Sequence, residues 1–464
     1  MVNNTKRSRF FLAAIITGLC IILILFFLSS NVIAQSQDPE LQRQMNLILD
    51  TYNFIKDYYV DEEKTSPKII MEGALKGMLE ALDDPYSVYL TKEDMANMEE
   101  TTIGKFGGVG LYILDVDSKV EVARPIEGTP AFKAGIIAGD IIIAVNDESV
   151  VDMNIDEVIK RLKGDAGTEV KITVLRDKNT LDFNITRDMI EIPTVKKAMM
   201  PDGNAYLKIN QFTPLTFDQV KDAILFFKGK NYKGLIIDLR SNPGGVLSSV
   251  VDVADLFFPY GKLIVYTKSR IKSENQQYKA RGKMIVPEDI PIVVLIDRYS
   301  ASASEILTGV LKDHKRATII GEKSYGKGSV QQIRYTGEGG IKLTTAKYFT
   351  PSGISINGIG IEPDIAVKED ELTEAEKKAI NDLLDSNKIR SFVENHKPLT
   401  DDTIKKFIES LKRDGNILSD RYLKRLIRNE ANRTNNNPPV YDLDYDLVLQ
   451  KAVEVLDNTT GKSH

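Results

Sequence analysis

Between residues 35 and 100 the apolar positions recur three and four apart, as in Leu41, Leu47, Ile48, Tyr52, Phe54 and Ile55. That spacing predicts amphipathic helices. The pattern resumes at Met71 to Leu79 and stops before Pro85, which cannot continue a helix. Residues 35–100 are read as a helical N-terminal region. From 101 to 188 the texture changes to short β-rich runs, such as Val120-Glu121-Val122-Ala123 and Ile141-Ile142-Ile143-Ala144-Val145, with glycines between them. These predict a compact β module.

Beyond Asn204, strands and helices alternate. Residues 206–209, 234–240 and 292–297 read as strands, and 216–227 and 248–257 as helices. The strands are apolar almost throughout, which predicts a sheet covered on both faces and hence an α/β core over 189–370. After Asp364 the chain turns charged and helical up to Ala431, breaks at Asn435-Asn436-Asn437-Pro438-Pro439, and ends in one more helical run. This C-terminal extension, 371–464, carries no recognisable chemistry; packing or homo-oligomer formation is the role left to it.

Residues 10–29 (FFLAAIITGLCIILILFFLS) follow Lys6, Arg7 and Arg9 and carry no charge. Such a run can cross a bilayer core as a helix. A cleavable signal is the other reading, because Val32-Ile33-Ala34 offers a processing site. Residues 1–34 are thus an anchor or a signal. The rest of the chain is expected to face the periplasm or extracytoplasmic space from the inner membrane, or to be exported after cleavage.

A balance of 61 basic against 66 acidic residues gives a net charge of −5, which argues against a nucleic-acid partner. The single cysteine, Cys20, lies in the apolar run, so the remainder can build no disulfide, zinc cluster or cysteine nucleophile.

Three segments carry candidate chemistry. Gly107-Gly108-Val109-Gly110-Leu111 precedes an apolar strand, where backbone N–H groups can converge on a terminal carboxylate; a plain tight turn is the other reading. Ser300-Ala301-Ser302-Ala303-Ser304-Glu305 follows the strand ending at Asp297 and opens a helix, so it is a nucleophile turn or a helix cap. A serine nucleophile needs a base, yet the histidines are few: His314 sits beside Asp313 at a helix end and is expected in solvent, His396 lies in the charged tail, and His464 is terminal. Gly326-Lys327-Gly328 is either an exposed turn or a desolvated lysine base.

The sequence Gly107–Leu111, then Gly128-Thr129-Pro130-Ala131, Gly139-Asp140-Ile141 and Val145-Asn146 is similar to a PDZ domain. The resemblance implies a carboxylate loop at Gly108, Val109, Gly110 and Leu111, and a groove flanked by the helix bearing Lys160, Arg161 and Lys163. Those three cations read most simply as a solvated face. Together with Asp238-Leu239-Arg240-Ser241-Asn242-Pro243-Gly244-Gly245, Tyr348–Gly353 and Gly360–Ile365, the serine and lysine motifs resemble the tail-specific, or carboxyl-terminal processing, proteases of the S41 serine peptidase family. That resemblance implies a ClpP/crotonase-like α/β protease core with an inserted PDZ domain. It maps the nucleophile to Ser302, the base to Lys327, the lysine's orienting residue to Gln331 rather than Gln332, and the oxyanion donors to Gly245 and Ala303. No metal or organic cofactor is implied. Substrates would be unfolded or flexible C-terminal tails of exported proteins, which the PDZ domain delivers to the site or which release a gate. The rivals are a membrane-tethered PDZ adaptor without activity and a crotonase-like acyl-transfer enzyme.

Overall fold

The computed structural model describes residues 38–460 apart from 117, 177, 338, 369–371, 397, 434 and 436–437. The apolar run at 10–29 lies outside them, and no helix among the described residues is long and apolar enough to cross a membrane.

The chain divides into two compact units, 1–89 and 90–464. In the first, helices α1 (Pro39–Tyr58) and α2 (Pro67–Glu80) each start on a proline behind a capping side chain. Asp38 accepts from the Glu40 amide at 3.0 Å and Ser66 from the Ile69 amide at 3.4 Å, satisfying first-turn donors that a helix leaves unpaired. Strand β1 (Val88–Thr91) spans the division.

The second unit opens with α3 (Lys92–Ile103), started by a reciprocal Thr91–Asp94 cap and stopped by Gly104 at φ +71°. Strand β2 (Lys105–Gly108) then pairs antiparallel with β9 (Asp188–Glu191), so the chain enters and leaves the β module through one two-stranded ribbon. Between them lie β3 (Leu111–Val116), β4 (Lys119–Pro125), α4 (Pro130–Ala134), β5 (Ile141–Val145), β6 (Glu148–Ser149), α5 (Ile155–Leu162), β7 (Glu169–Arg176) and β8 (Asn179–Thr186). The sheet order is β3-β4-β5-β7-β8, which leaves one edge of β3 open. Val122, Ile142, Val158, Ile172 and Val174 are buried at its centre.

The α/β region is built on β10 (Val195–Met199), β11 (Ala205–Ile209), β12 (Leu235–Asp238), β13 (Leu263–Ser269), β14 (Gln277–Lys279), β15 (Ile292–Ile296), β16 (Thr318–Gly321), β17 (Ser329–Thr336), β18 (Gly339–Phe349) and β19 (Ile365–Ala366). Strands β10-β11-β12-β15-β16-β19 form the central sheet, parallel except for β10 at its edge. Every residue of β12 and β15 is buried, as apolar runs covered on both faces require. Helices α6 (Thr216–Lys228), α7 (Leu247–Asp255) and α8 (Ala303–Asp313) supply the core on one face, with Ile224, Val250 and Leu307 packed inward.

Helices α9 (Glu374–Asp385), α10 (Lys388–Asn395), α11 (Asp401–Arg413) and α12 (Asp420–Arg433) form their own apolar cluster. They grip the sheet of the β module electrostatically: Arg390 and Arg433 both pair with Glu121 of β4, a carboxylate 2% exposed. The last helix, α13 (Leu447–Thr460), does something else. Its Leu449, Ala452 and Leu456 cover the second face of the central sheet against Ile236, Val293 and Ile320.

One ion-pair chain fixes that helix to the sheet. Tyr206 donates to Asp238 at 2.6 Å, and Arg240 bridges Asp238 (2.7 Å) and Asp446 (2.6 Å), whose other oxygen caps α13 through the Leu449 amide. Burial pushes the Asp238 carboxyl up, but the Arg240 guanidinium outweighs it and holds the group at about 2.

Candidate active site

Strand β15 ends at Ile296, and a tight turn carries the chain into α8. Ser300 is fully buried in that turn; its hydroxyl accepts from the Asp297 amide at 2.9 Å and donates to the Leu239 carbonyl at 2.9 Å. The Ser304 hydroxyl donates to the Asn242 carbonyl at 3.0 Å. Both outer serines are therefore structural ties. Ser302 differs from them: its hydroxyl donates to no acceptor among the described residues. It also sits at φ +54°, ψ −111°, a backbone state that costs a residue with a side chain about 1–3 kcal/mol.

The turn after β12 closes over this serine. Asn242 is buried, accepts from the Gly244 amide at 2.9 Å and donates to the Ile209 carbonyl at 2.8 Å, while its own carbonyl takes the Ala301 amide at 3.0 Å. Gly244 is at φ +102°, and a Cβ there would stand 2.8 Å from Ser302 Cβ and 2.9 Å from the Ala303 nitrogen. Gly245 at φ +142° is pressed against the Phe212 carbonyl, 2.0 Å from any added Cβ. The Gly245 and Ala303 amides donate to nothing among the described residues. Two unsatisfied N–H groups beside an unsatisfied hydroxyl can hold a developing oxyanion.

Lys327 lies in a loop between Gly326 and Gly328 that packs on residues 357–361. Gly358 donates to the Gly326 carbonyl at 2.8 Å, and the Ile361 amide to the Ser324 hydroxyl at 2.6 Å. The Gly360–Ile365 motif thus has a physical task, which is to shape the lysine loop. Lys327 is half-buried, and burial, with the neighbouring Lys342 adding repulsion, pushes its ammonium down from the ordinary value of 10.5.

Glu305, which the sequence reading passed over, joins the two turns. It is fully buried in the first turn of α8 and accepts four times: Oε1 from the Ser324 hydroxyl (2.6 Å) and the Gly326 amide (2.7 Å), Oε2 from the amides of Ser302 and Lys327, both at 2.8 Å. One oxygen therefore holds the backbones of Ser302 and Lys327 together. Burial pushes the Glu305 carboxyl above its usual range, and the four donors oppose that rise. A glutamate at the third position of a helix reads from sequence as a cap, so its second set of partners gave no signal.

The remaining expected residues are placed as follows. Gln331 lies on β17, half-buried, its amide donating to Ser329 (2.8 Å) and Thr344 (3.2 Å), whereas Gln332 is exposed. His314 is not in solvent: it is half-buried against Phe258 with Nε2 2.9 Å from the Leu263 carbonyl. It closes the same helix that Ser302 opens, ~18 Å away along an α-helix of that length. His396 Nδ1 is tied to the Phe392 carbonyl at 2.9 Å.

The β-module loop stands apart from this cluster. The carbonyls of Val109 and Gly110 accept from the amides of Ala131 and Ile126, both at 2.9 Å, while the Val109 and Gly110 amides donate to nothing among the described residues. Gly110 at φ +83° abuts Thr129, 2.4 Å from an added Cβ, and Leu111 begins the open-edged strand β3. Lys160 and Arg161 on α5, and Lys163 just beyond it, pair with Glu93, Glu148 and Glu100, two of them on α3, while Lys160 stays exposed as a solvated face requires.

The chain matches Peptidase family S41 over residues 203–367, a PDZ domain over 121–176 and the activating protease CtpB N-terminal domain over 28–94. A carboxy-terminal-processing protease of Bartonella bacilliformis is 39% identical over 360 residues, covering 74% of this chain and 81% of its own length. The chain belongs to peptidase family S41. This S41 peptidase is also 33% identical to the carboxy-terminal processing protease CtpA of Bacillus subtilis, over 78% of this chain and 77% of that one. Among solved structures, the photosystem II D1 C-terminal processing protease aligns at 30% identity and a TM-score of 0.41, covering 69% of this chain and 92% of its own.

Gly244→Ala is expected to push the Ala303 amide and Ser302 apart. Losing one oxyanion donor costs ~2.7–4 kcal/mol, so kcat/KM on an unfolded protein substrate should fall about 100-fold or more. A variant that folds and retains wild-type turnover would remove this turn from the site.

Proposed function

We propose that this S41 peptidase is a serine endopeptidase in which Lys327, uncharged, takes the proton from Ser302. The serine then attacks a peptide carbonyl, and the Gly245 and Ala303 amides hold the oxyanion as the acyl-enzyme forms. Water releases the second product by the same route. The observation that carries this reading is the shared Glu305 oxygen, which accepts from the amides of both Ser302 and Lys327. Burial of Lys327 supports its role as base, since a lysine near its ordinary pKa would be protonated at neutral pH. Gln331, half-buried on the strand that follows, is the residue we assign to orienting that lysine.

Substrate tails are proposed to end at the Val109 and Gly110 amides, with the polypeptide adding beside the open edge of β3. The N-terminal run at 10–29 would hold the enzyme on a membrane or be removed on export; intact mass of the mature protein separates the two, since only a cleaved signal leaves a start near Gln35. The exposed Leu41, Met45, Ile48 and Phe54 of α1 favour self-association of the N-terminal region, which sedimentation of the chain with and without it would test.

Ser302→Ala and Lys327→Ala should each abolish cleavage while leaving thermal unfolding close to wild type; turnover in either refutes the pair. Because the active lysine is the deprotonated one, kcat/KM should rise with pH through the lowered Lys327 pKa. Lys342→Met removes the repelling charge, so that limb should move to higher pH; an unmoved limb would assign it to another group. Free-acid tails should bind more tightly than amidated tails of identical sequence, and equal affinities would dismiss the carboxylate loop.

A further inference from the structure

A cleft of about 730 Å³ lies between the PDZ sheet and the edge of the protease sheet, with Pro438 and Val440 of the C-terminal extension also lining it. Tyr112, Arg124 and Phe132 wall it on the PDZ side; Lys196, Lys197 and Asn210 wall it on the protease side. Arg124 and Lys196 thus face one space, while Lys197, next along β10, lines it but turns its ammonium to the other face of the strand over Phe226; the one carboxylate of the lining, Glu127, is on the exposed rim.

The cations are poorly compensated. Arg124 lies over the Tyr112 ring at 4.8 Å and Lys197 over the Phe226 ring at 4.9 Å. Neither Arg124 nor Lys196 is paired with a carboxylate among the described residues. Lys196 of β10 stands directly opposite Lys208 of β11, and like charges in that position destabilise a sheet. Asp238 is next in the same row, but it serves Lys208 at 3.9 Å and is held more closely by Arg240. Lys196 is exposed at the strand edge, yet partial desolvation, then Arg124 and Lys208, push its ammonium below the ordinary value. An arrangement that costs stability at an edge strand and leaves its charges facing an open cleft is suited to an anion from outside.

Position identifies the anion. Asn210 follows the carboxyl end of β11, the end of the sheet from which the Gly245 and Ser302 turns also emerge, and Phe212 two residues on pairs with Gly245. From β10 to β15 there are three strand steps, or ~14 Å at ~4.8 Å each. An extended polypeptide covers that distance in about four residues.

We propose that this cleft receives an acidic side chain of the substrate, about four residues to the carboxyl-terminal side of the cleaved bond, and so sets a preference for acidic tails. The inference rests on the reading of Ser302 as nucleophile and of the PDZ loop as the tail's terminus, since the polypeptide must then pass this cleft between them.

The test uses the full chain and two unfolded substrates identical except for Asp-Glu or Asn-Gln at that position. Wild type should favour the acidic tail by about tenfold in kcat/KM, mostly through KM, with the preference shrinking in high salt. Lys196→Glu should bring the ratio to one or below. It should also raise the melting temperature, because it places opposite charges across from each other at Lys208. Arg124→Gln should lower the ratio without that thermal gain. Equal cleavage of both tails by wild type, or a ratio that survives folded Lys196→Glu, overturns the proposal. Loss of the underlying protease reading would register differently, as cleavage of both tails persisting in Ser302→Ala.

Discussion

A buried carboxylate that must be fully satisfied organises the catalytic region. Glu305 has no access to water, so leaving its oxygens unpaired would cost several kcal/mol. Four donors meet that demand, and they come from two loops: Ser302 on one side, and Ser324, Gly326 and Lys327 on the other. Neither loop can drift without exposing the charge to an apolar interior. Placement of the serine against the lysine is therefore enforced by desolvation and does not depend on a bond between the two side chains.

The same logic explains why Ser302, the proposed nucleophile, can sit in a strained backbone state. Ser300, Asn242 and Ser304 pin the turn on both sides of Ser302, and the Glu305 oxygen takes the Ser302 amide itself. With its neighbours committed, the Ser302 hydroxyl is left without an acceptor beside two N–H groups in the same state. Gly244 and Gly245 are required for a steric reason, since their approach to Ser302 and Phe212 leaves no room for a Cβ. Further out, Arg240 ties the sheet that carries these turns to the last helix through Asp238 and Asp446.

The sequence made legible whatever is local. Continuous apolar runs announced β12 and β15, short β-rich runs between glycines announced the PDZ sheet, and motif order pointed to Ser302, Lys327 and the Gly244-Gly245 turn as candidates. Pairings across long separations could not be read that way. Glu305 was passed over because its other partners lie 19 to 22 residues on. The pairing of Lys160 and Lys163 was not legible because their carboxylates are 67 and 63 residues away. His314 looked exposed because the Leu263 carbonyl that holds it comes from another sheet. The stretch after 371 reads as one charged helical extension, yet α13 covers the central sheet while α9 to α12 hold the PDZ domain.

The account stands or falls on Glu305 as the residue that positions both catalytic turns. Its most direct test is kcat/KM of Glu305→Gln on an unfolded protein substrate, with thermal unfolding as the check on folding. A glutamine amide would point an N–H at donors that now meet an oxygen, and losing even two charge-assisted bonds of ~1.5–3 kcal/mol each separates the turns. The expected result is a folded protein with kcat/KM reduced about 100-fold or more. A folded Glu305→Gln protein cleaving at close to the wild-type rate would contradict it.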